Sequence, residues 1–130
     1  MAPVHIEQGF FMSDIHSRRV IRINRFSVPA NARHDFMALV AKTHDVIRAQ
    51  PGFVDDMILE QRSGPDAFNL VTILQFEGEH ALQPAITAVA QADAQAGIDR
   101  RALSREWGVE TEIAFYHPTV PGALTGPVPA

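Results

Sequence analysis

The chain has 130 residues, 46% hydrophobic and 20% charged, with no cysteine and a formal net charge of −4. That is a one-domain length and an ordinary globular composition, long enough for a core without covalent staples. It excludes disulfides and thiolate chemistry, and the acidic balance opposes a nucleic-acid footprint, which would be basic.

The opening residues, MAPVHIEQGFFMSD, have no positive charge ahead of their short apolar stretch, so they do not read as a secretory signal. Residues 1–18 are set apart as an N-terminal arm. Segment 19–28, RVIRINRFSV, is rich in Val, Ile and Phe and reads as a strand that Pro29 ends. Asn31 is a candidate N-cap for a helix over 32–50. There Phe36, Leu39, Val40, Thr43, Val46 and Ile47 recur at helical spacing, with Asp35, Lys42 and Asp45 turned away. Pro51-Gly52 stops this helix. FVDDMILEQR (53–62) is a second strand, Ser63-Gly64-Pro65-Asp66 is turn chemistry, and AFNLVTILQF (67–76) is a third strand. A second helix opens at Glu77-Gly78-Glu79 and runs to about Ala96, with Leu82, Ala85, Ile86, Val89, Ala92 and Ala96 as its buried stripe. Pro84 falls in its first turn, where a missing N–H is tolerated. Gly97 interrupts it, and residues 99–106 form a further helical turn. VETEIAFY (109–116) is the fourth strand. The tail 118–130 has four Pro, two Gly and no charge, and reads as extended or disordered.

The order β-α-β-β-α-β is the ferredoxin-like pattern, an α+β fold with an antiparallel four-stranded sheet over residues 19–117. Both crossovers contain a helix, as parallel neighbours require. The two helices cover one face of the sheet. Yet Phe68, Leu70, Leu74 and Phe76 alternate with Val71 and Ile73, and Val20, Phe26 and Val28 alternate with Ile21 and Ile23. A sheet apolar on both faces needs a second cover, so a homodimer packed sheet against sheet is expected, the plainer alternative being that the N-terminal arm or the Pro-rich tail covers that face within one chain. No apolar run spans a bilayer, and basic residues never run longer than Arg18-Arg19 or Arg100-Arg101. No membrane partner is expected, and the cytoplasm is the default location.

Three stretches carry a family resemblance: IRINRFSVPA, then HDFMALVAKTHDVIRAQPGFV, then NLVTILQFEGEHAL. Together they resemble the antibiotic-biosynthesis-monooxygenase domains of the dimeric α/β-barrel group, over roughly residues 19–116. The resemblance implies a ferredoxin-like dimer with a pocket between sheet and helices. It also implies oxidation of aromatic substrates with molecular oxygen, without a metal or flavin. Haem-degrading relatives carry an Asn on the first strand, a Trp near the end of the third and a His in the second helix. Asn24 stands where that Asn belongs, but Phe76 occupies the Trp position. No His lies between Ala81 and Ala96, and His80 comes too early. Only Asn24 is carried over, and haem degradation is disfavoured.

Asn24 shares a face with Val20 and Phe26, taken as the helix side by analogy. Its amide is placed to bind a substrate carbonyl or oxyanion, or is simply satisfied by neighbouring backbone. His44, on the border of the apolar stripe, is a candidate general base for a phenol or quinol proton. No partner acid is identifiable from sequence, and the plainer expectation is a border histidine with its ring edge in water. Arg22 shares the Asn24 face. It either holds an anionic substrate or, more simply, joins a cross-strand ion pair. Asp93 is a pocket acid or an arginine's partner. Phe76, Trp107 and Tyr116 are candidates for stacking on an aromatic ligand, with core or dimer packing as the plainer reading. No metal constellation, phosphate loop or nucleophile elbow is present, and no cofactor is expected.

Two functions stand open: a cofactor-independent monooxygenase of a small aromatic or quinol-like molecule, and a non-catalytic small-ligand-binding or stress-response dimer. RNA-recognition domains share this strand order but need a basic-aromatic third strand, and AFNLVTILQF has no Lys, Arg or Gly.

Overall fold

A computed structural model describes residues 18–64 and 67–119. Nearly all of the N-terminal arm and the Pro-rich tail lie outside the described residues, as do Pro65 and Asp66 of the expected turn. The described chain runs β1 (Val20–Ser27), α1 (Arg33–Arg48), β2 (Phe53–Glu60), β3 (Leu70–Phe76), α2 (Leu82–Ala96), α3 (Arg100–Trp107) and β4 (Glu110–Tyr116). Four strands form one sheet in the order β2-β3-β1-β4, with every neighbouring pair antiparallel. This is the expected α+β architecture, with one refinement. The helix-linked strands are not side by side, because β3 inserts between β1 and β2, and β1 between β3 and β4.

Local chemistry explains the element ends. Asn31 is not the cap of α1. It sits inside a 3₁₀ turn, Ala30–Ala32, that starts from Pro29, and α1 has no side-chain cap. At α3, the Asp99 side chain does cap, accepting from the Ala102 N–H at 3.1 Å. Gly97 and Gly108 end α2 and α3 in the left-handed conformation that glycine adopts without a Cβ clash. β3 begins at Leu70 rather than at residue 67, because the Asn69 side chain bonds the Val28 backbone. Its Nδ2 donates to the Val28 carbonyl at 2.9 Å, and its Oδ1 accepts the Val28 N–H at 3.0 Å. Phe68 therefore precedes the strand, with its ring 4.7 Å beneath the Arg25 guanidinium.

One irregularity matters for function. β2 pairs Phe53 with Phe76, then Asp55 with Gln75, leaving Val54 as an extra residue. This bulge shifts the alternation by one. Beyond it Asp56 and Ile58 lie opposite Leu74 and Thr72, on the helix side, while Asp55, Met57 and Leu59 face the other way.

The helix side of the sheet holds two apolar clusters. One gathers Ile47, Leu74, Phe76, Leu82 and Ala85; the other gathers Val28, Ala32, Phe36, Val40 and Leu70. Each of the larger side chains among them contributes roughly 1.5–3 kcal/mol by leaving water. Polar residues separate the clusters. Asn24 lies between Arg22 and Phe26 along β1, Thr72 between Leu70 and Leu74 along β3, and His44 between Val40 and Ile47 along α1, all three buried. Beyond Ala85, α2 departs from the expected stripe. Ile86 is 43% exposed because it borders open space instead of core, and Ala96 at the helix end is exposed. Among the described residues no helix is long and apolar enough to cross a membrane.

Candidate active site

The open space is a cavity of about 900 Å³ between the sheet and the three helices. Ile86 of α2 and Ile113 of β4 line it yet stay 43% and 50% exposed, which marks the mouth. The polar residues between the two apolar clusters form its floor.

On β1, Asn24 is paired across the sheet with Thr72 and is 9% exposed. Its Nδ2 donates to Thr72 Oγ1 at 3.0 Å, and its Oδ1 accepts from Arg22 Nε at 3.0 Å. These two bonds fix which end of the amide is oxygen. They leave one amide N–H without a partner among the described residues, at the cavity wall. On α1, His44 is 3% exposed, and its Nδ1 lies 2.9 Å from Asp56 Oδ2. The same oxygen accepts from Arg48 Nε at 2.9 Å, and Arg48 Nη2 lies 2.8 Å away. Burial pushes the Asp56 carboxyl upward, but the hydrogen bonds and charges of His44 and Arg48 outweigh it and hold the group below its ordinary value. An ionised Asp56 makes Nδ1 the donor, so the lone pair of a neutral ring sits on Nε2. No buried side-chain nitrogen or oxygen lacks a partner among the described residues, and Nε2 has no hydrogen bond to any of them, so it opens to the cavity that His44 lines.

Arg22, Asn24, His44 and Phe76 thus meet in one cavity. Trp107 and Tyr116 do not line it. Trp107 packs edge-on against Phe36, 6.2 Å between ring centroids and 88° between planes. Tyr116 pairs with Ile21 on the opposite face of the sheet and is 53% exposed. Two plainer expectations fail. His44 has no ring edge in bulk water, because α1 turns it inward onto Asp56. Arg22 has no carboxylate partner among the described residues. The nearby acid, Asp93, instead accepts two bonds from Arg100 at 2.8 and 2.9 Å. Burial, and then the charge of Arg100, keep the Arg22 pKa below its ordinary value.

Sequence reasoning missed Asp56 and Thr72. Thr72 carried a signal: one hydroxyl in an apolar strand, between Leu70 and Leu74, on the face of Asn24. Asp56 carried none, because the bulge decides which of two adjacent aspartates faces the helix.

No family model and no curated protein matches the sequence. Solved structures do. SnoaB, a cofactor-independent oxygenase from Streptomyces nogalater, aligns with a TM-score of 0.58 at 23% identity, over 80% of this chain and 98% of its own. A conserved protein from Methanosarcina mazei Go1 aligns at 0.60 and 20% identity, over 80% and 97%. The chain shares the fold of these structures, the fold that its resemblance to the antibiotic-biosynthesis-monooxygenase domains implied. A point mutant of MhuD, solved with two manganese protoporphyrin IX molecules per active site, shares it at 0.59 and 20% identity, over 78% and 95%. Within this fold group, then, both oxygenases and porphyrin binders occur, and the site must discriminate.

Proposed function

We propose that the chain is a cofactor-independent monooxygenase of a small aromatic or quinol-like substrate, working as a homodimer. One observation carries this reading: an imidazole clamped from behind by Asp56 presents its other nitrogen to a cavity that Asn24, with a spare amide N–H, also lines. His44 Nε2 accepts the proton of a phenol or quinol hydroxyl, and the Asp56 carboxylate offsets the charge that appears on the ring. Asn24 Nδ2 donates to the resulting oxyanion. The deprotonated, electron-rich ring then reduces oxygen. The substrate supplies all four electrons. One oxygen atom enters the product and the other leaves as water, so that a hydroquinone becomes a hydroxyquinone.

The dimer is supported by the outer face of the sheet, where Ile21, Ile23, Met57, Leu59, Val71 and Ile73 form an apolar surface that no described element covers.

Oxygen consumption measured with a panel of phenols and quinols tests the assignment. His44→Ala is expected to lower the rate about 10²–10⁴-fold, as removal of a general base does. Asn24→Ala is expected to lower it about 10²–10³-fold, as loss of an oxyanion donor does. Unchanged uptake in both variants refutes the site. Ligand binding without uptake transfers the reading to a non-catalytic small-ligand-binding dimer.

A further inference from the structure

Among the described residues four arginines line the cavity, Arg22 from β1 and Arg100, Arg101 and Arg105 from α3, against one acid, Asp93 of α2. This excess of positive charge sits in a chain whose formal net charge is −4. It is therefore local, and composition does not explain it. Asp93 is already committed to Arg100 through two bonds, at 2.8 and 2.9 Å. Arg22 differs. Its Nε is held by Asn24 at 3.0 Å, and its guanidinium carbon lies 5.7 Å from the centroid of the Phe115 ring. Those contacts fix its direction but leave its charge without a carboxylate among the described residues. A guanidinium partly withdrawn from water, with a second one nearby, is stabilised by an anion, and a planar carboxylate matches its fork of donors. The wall next to it, built by Leu74, Phe76 and Val89, is apolar.

We propose that the molecule held beside Asn24 and His44 is an aromatic acid, with its ring against the Phe76–Val89 wall and its carboxylate on the terminal nitrogens of Arg22. The more exposed Arg101 and Arg105 draw the anion toward the cavity. The proposal rests on the oxygenase reading for its choice of pocket. It adds that Arg22 sets substrate choice: the neutral twin of an acidic substrate is rejected because Arg22 is left unpaired.

Isothermal titration of the full chain with 1-hydroxy-2-naphthoate and with 1-hydroxy-2-naphthamide tests this. The acid is expected to bind at least tenfold more tightly. The preference is expected to shrink toward unity in Arg22→Gln, to be intermediate in Arg22→Lys, and to fall in 0.5 M sodium chloride while amide binding stays constant. Equal binding of acid and amide by the wild-type chain overturns the proposal, as does an undiminished preference in Arg22→Gln or the absence of binding by either. Should Arg22→Gln not fold, the salt dependence of the wild-type chain decides. Oxygen uptake measured alongside separates the two readings. An acid preference without turnover sinks the oxygenase and keeps the aromatic acid; turnover of both twins at equal affinity does the reverse.

Discussion

Replacing Asp56 by Ala removes the acceptor of three contacts, one from His44 and two from Arg48. Their costs differ. The His44 side chain is only 4% exposed, so its Nδ1–H loses its partner inside the protein, at about 1–3 kcal/mol. The Arg48 side chain is 49% exposed, so water replaces its bonds at roughly 0–1 kcal/mol. Together the loss is about 1–4 kcal/mol at neutral pH, which lowers the unfolding midpoint of a domain of about 100 residues by roughly 4–8 °C for each kcal/mol. The pH dependence has a definite sign. The folded-state pKa of Asp56 is depressed, so its contribution is complete above the unfolded value of about 3.9 and disappears as pH falls through the folded value. Thermal unfolding from pH 7 down to pH 2 is therefore expected to show a gap between wild type and Asp56→Ala that is present at neutral pH and closes as pH falls below about 4. Asp55→Ala is the control. It is exposed, lies on the opposite face, and loses only the solvent-accessible bond that its Oδ1 accepts from the Asp56 N–H at 2.9 Å, so it is expected to cost less, at most about 1 kcal/mol. Equal losses from the two substitutions, or a gap that ignores pH, would refute both the clamp and the register that creates it.

Thr72→Val keeps the shape of a side chain 1% exposed but orphans an Asn24 amide N–H. Chemical denaturation is expected to show a loss of about 1–3 kcal/mol, with slower oxygen uptake as the amide loses its anchor. Gly52 has φ +84°, and an added Cβ would stand 2.5 Å from Ala81 Cβ, whereas Gly97, at φ +68°, has open space around it. Gly97→Ala is expected to cost about 1–2 kcal/mol for its left-handed backbone, and Gly52→Ala clearly more in the same denaturation assay. Met57→Glu puts a charge at a 51% exposed position of the apolar outer face. Sedimentation at micromolar concentration is expected to show dissociation to single subunits; an unaltered dimer would remove this face from the interface.

Periodicity carries most of the architecture, because each element buries a face at its own repeat. Val20, Phe26 and Leu74 fall on the side their alternation assigns, and Gly97 and Pro84 act where their backbone chemistry requires. Asn24 is legible as a polar residue in an apolar strand. His44 is harder to read. Helical spacing puts it at the rim of the stripe, and only the packing of α1 on β2 turns the ring inward. Its partner is hidden because strict alternation in FVDDM gives two aspartates equal standing, and nothing local reports an extra residue. Trp107 and Tyr116 flank the last strand as expected, but α3 carries Trp107 to the Phe36 side of the core, and strand parity turns Tyr116 away from the cavity.

The bulge at Val54 gears two surfaces together. Moving the pairing beyond it by one step would withdraw Asp56 from His44 and offer Asp55 instead, while swinging Met57 and Leu59 into the compartment beneath the helices. A single inserted or deleted residue between Gly52 and Asp55 thus retunes the proton acceptor and the contact surface in one stroke. Neither can drift through this segment without dragging the other along.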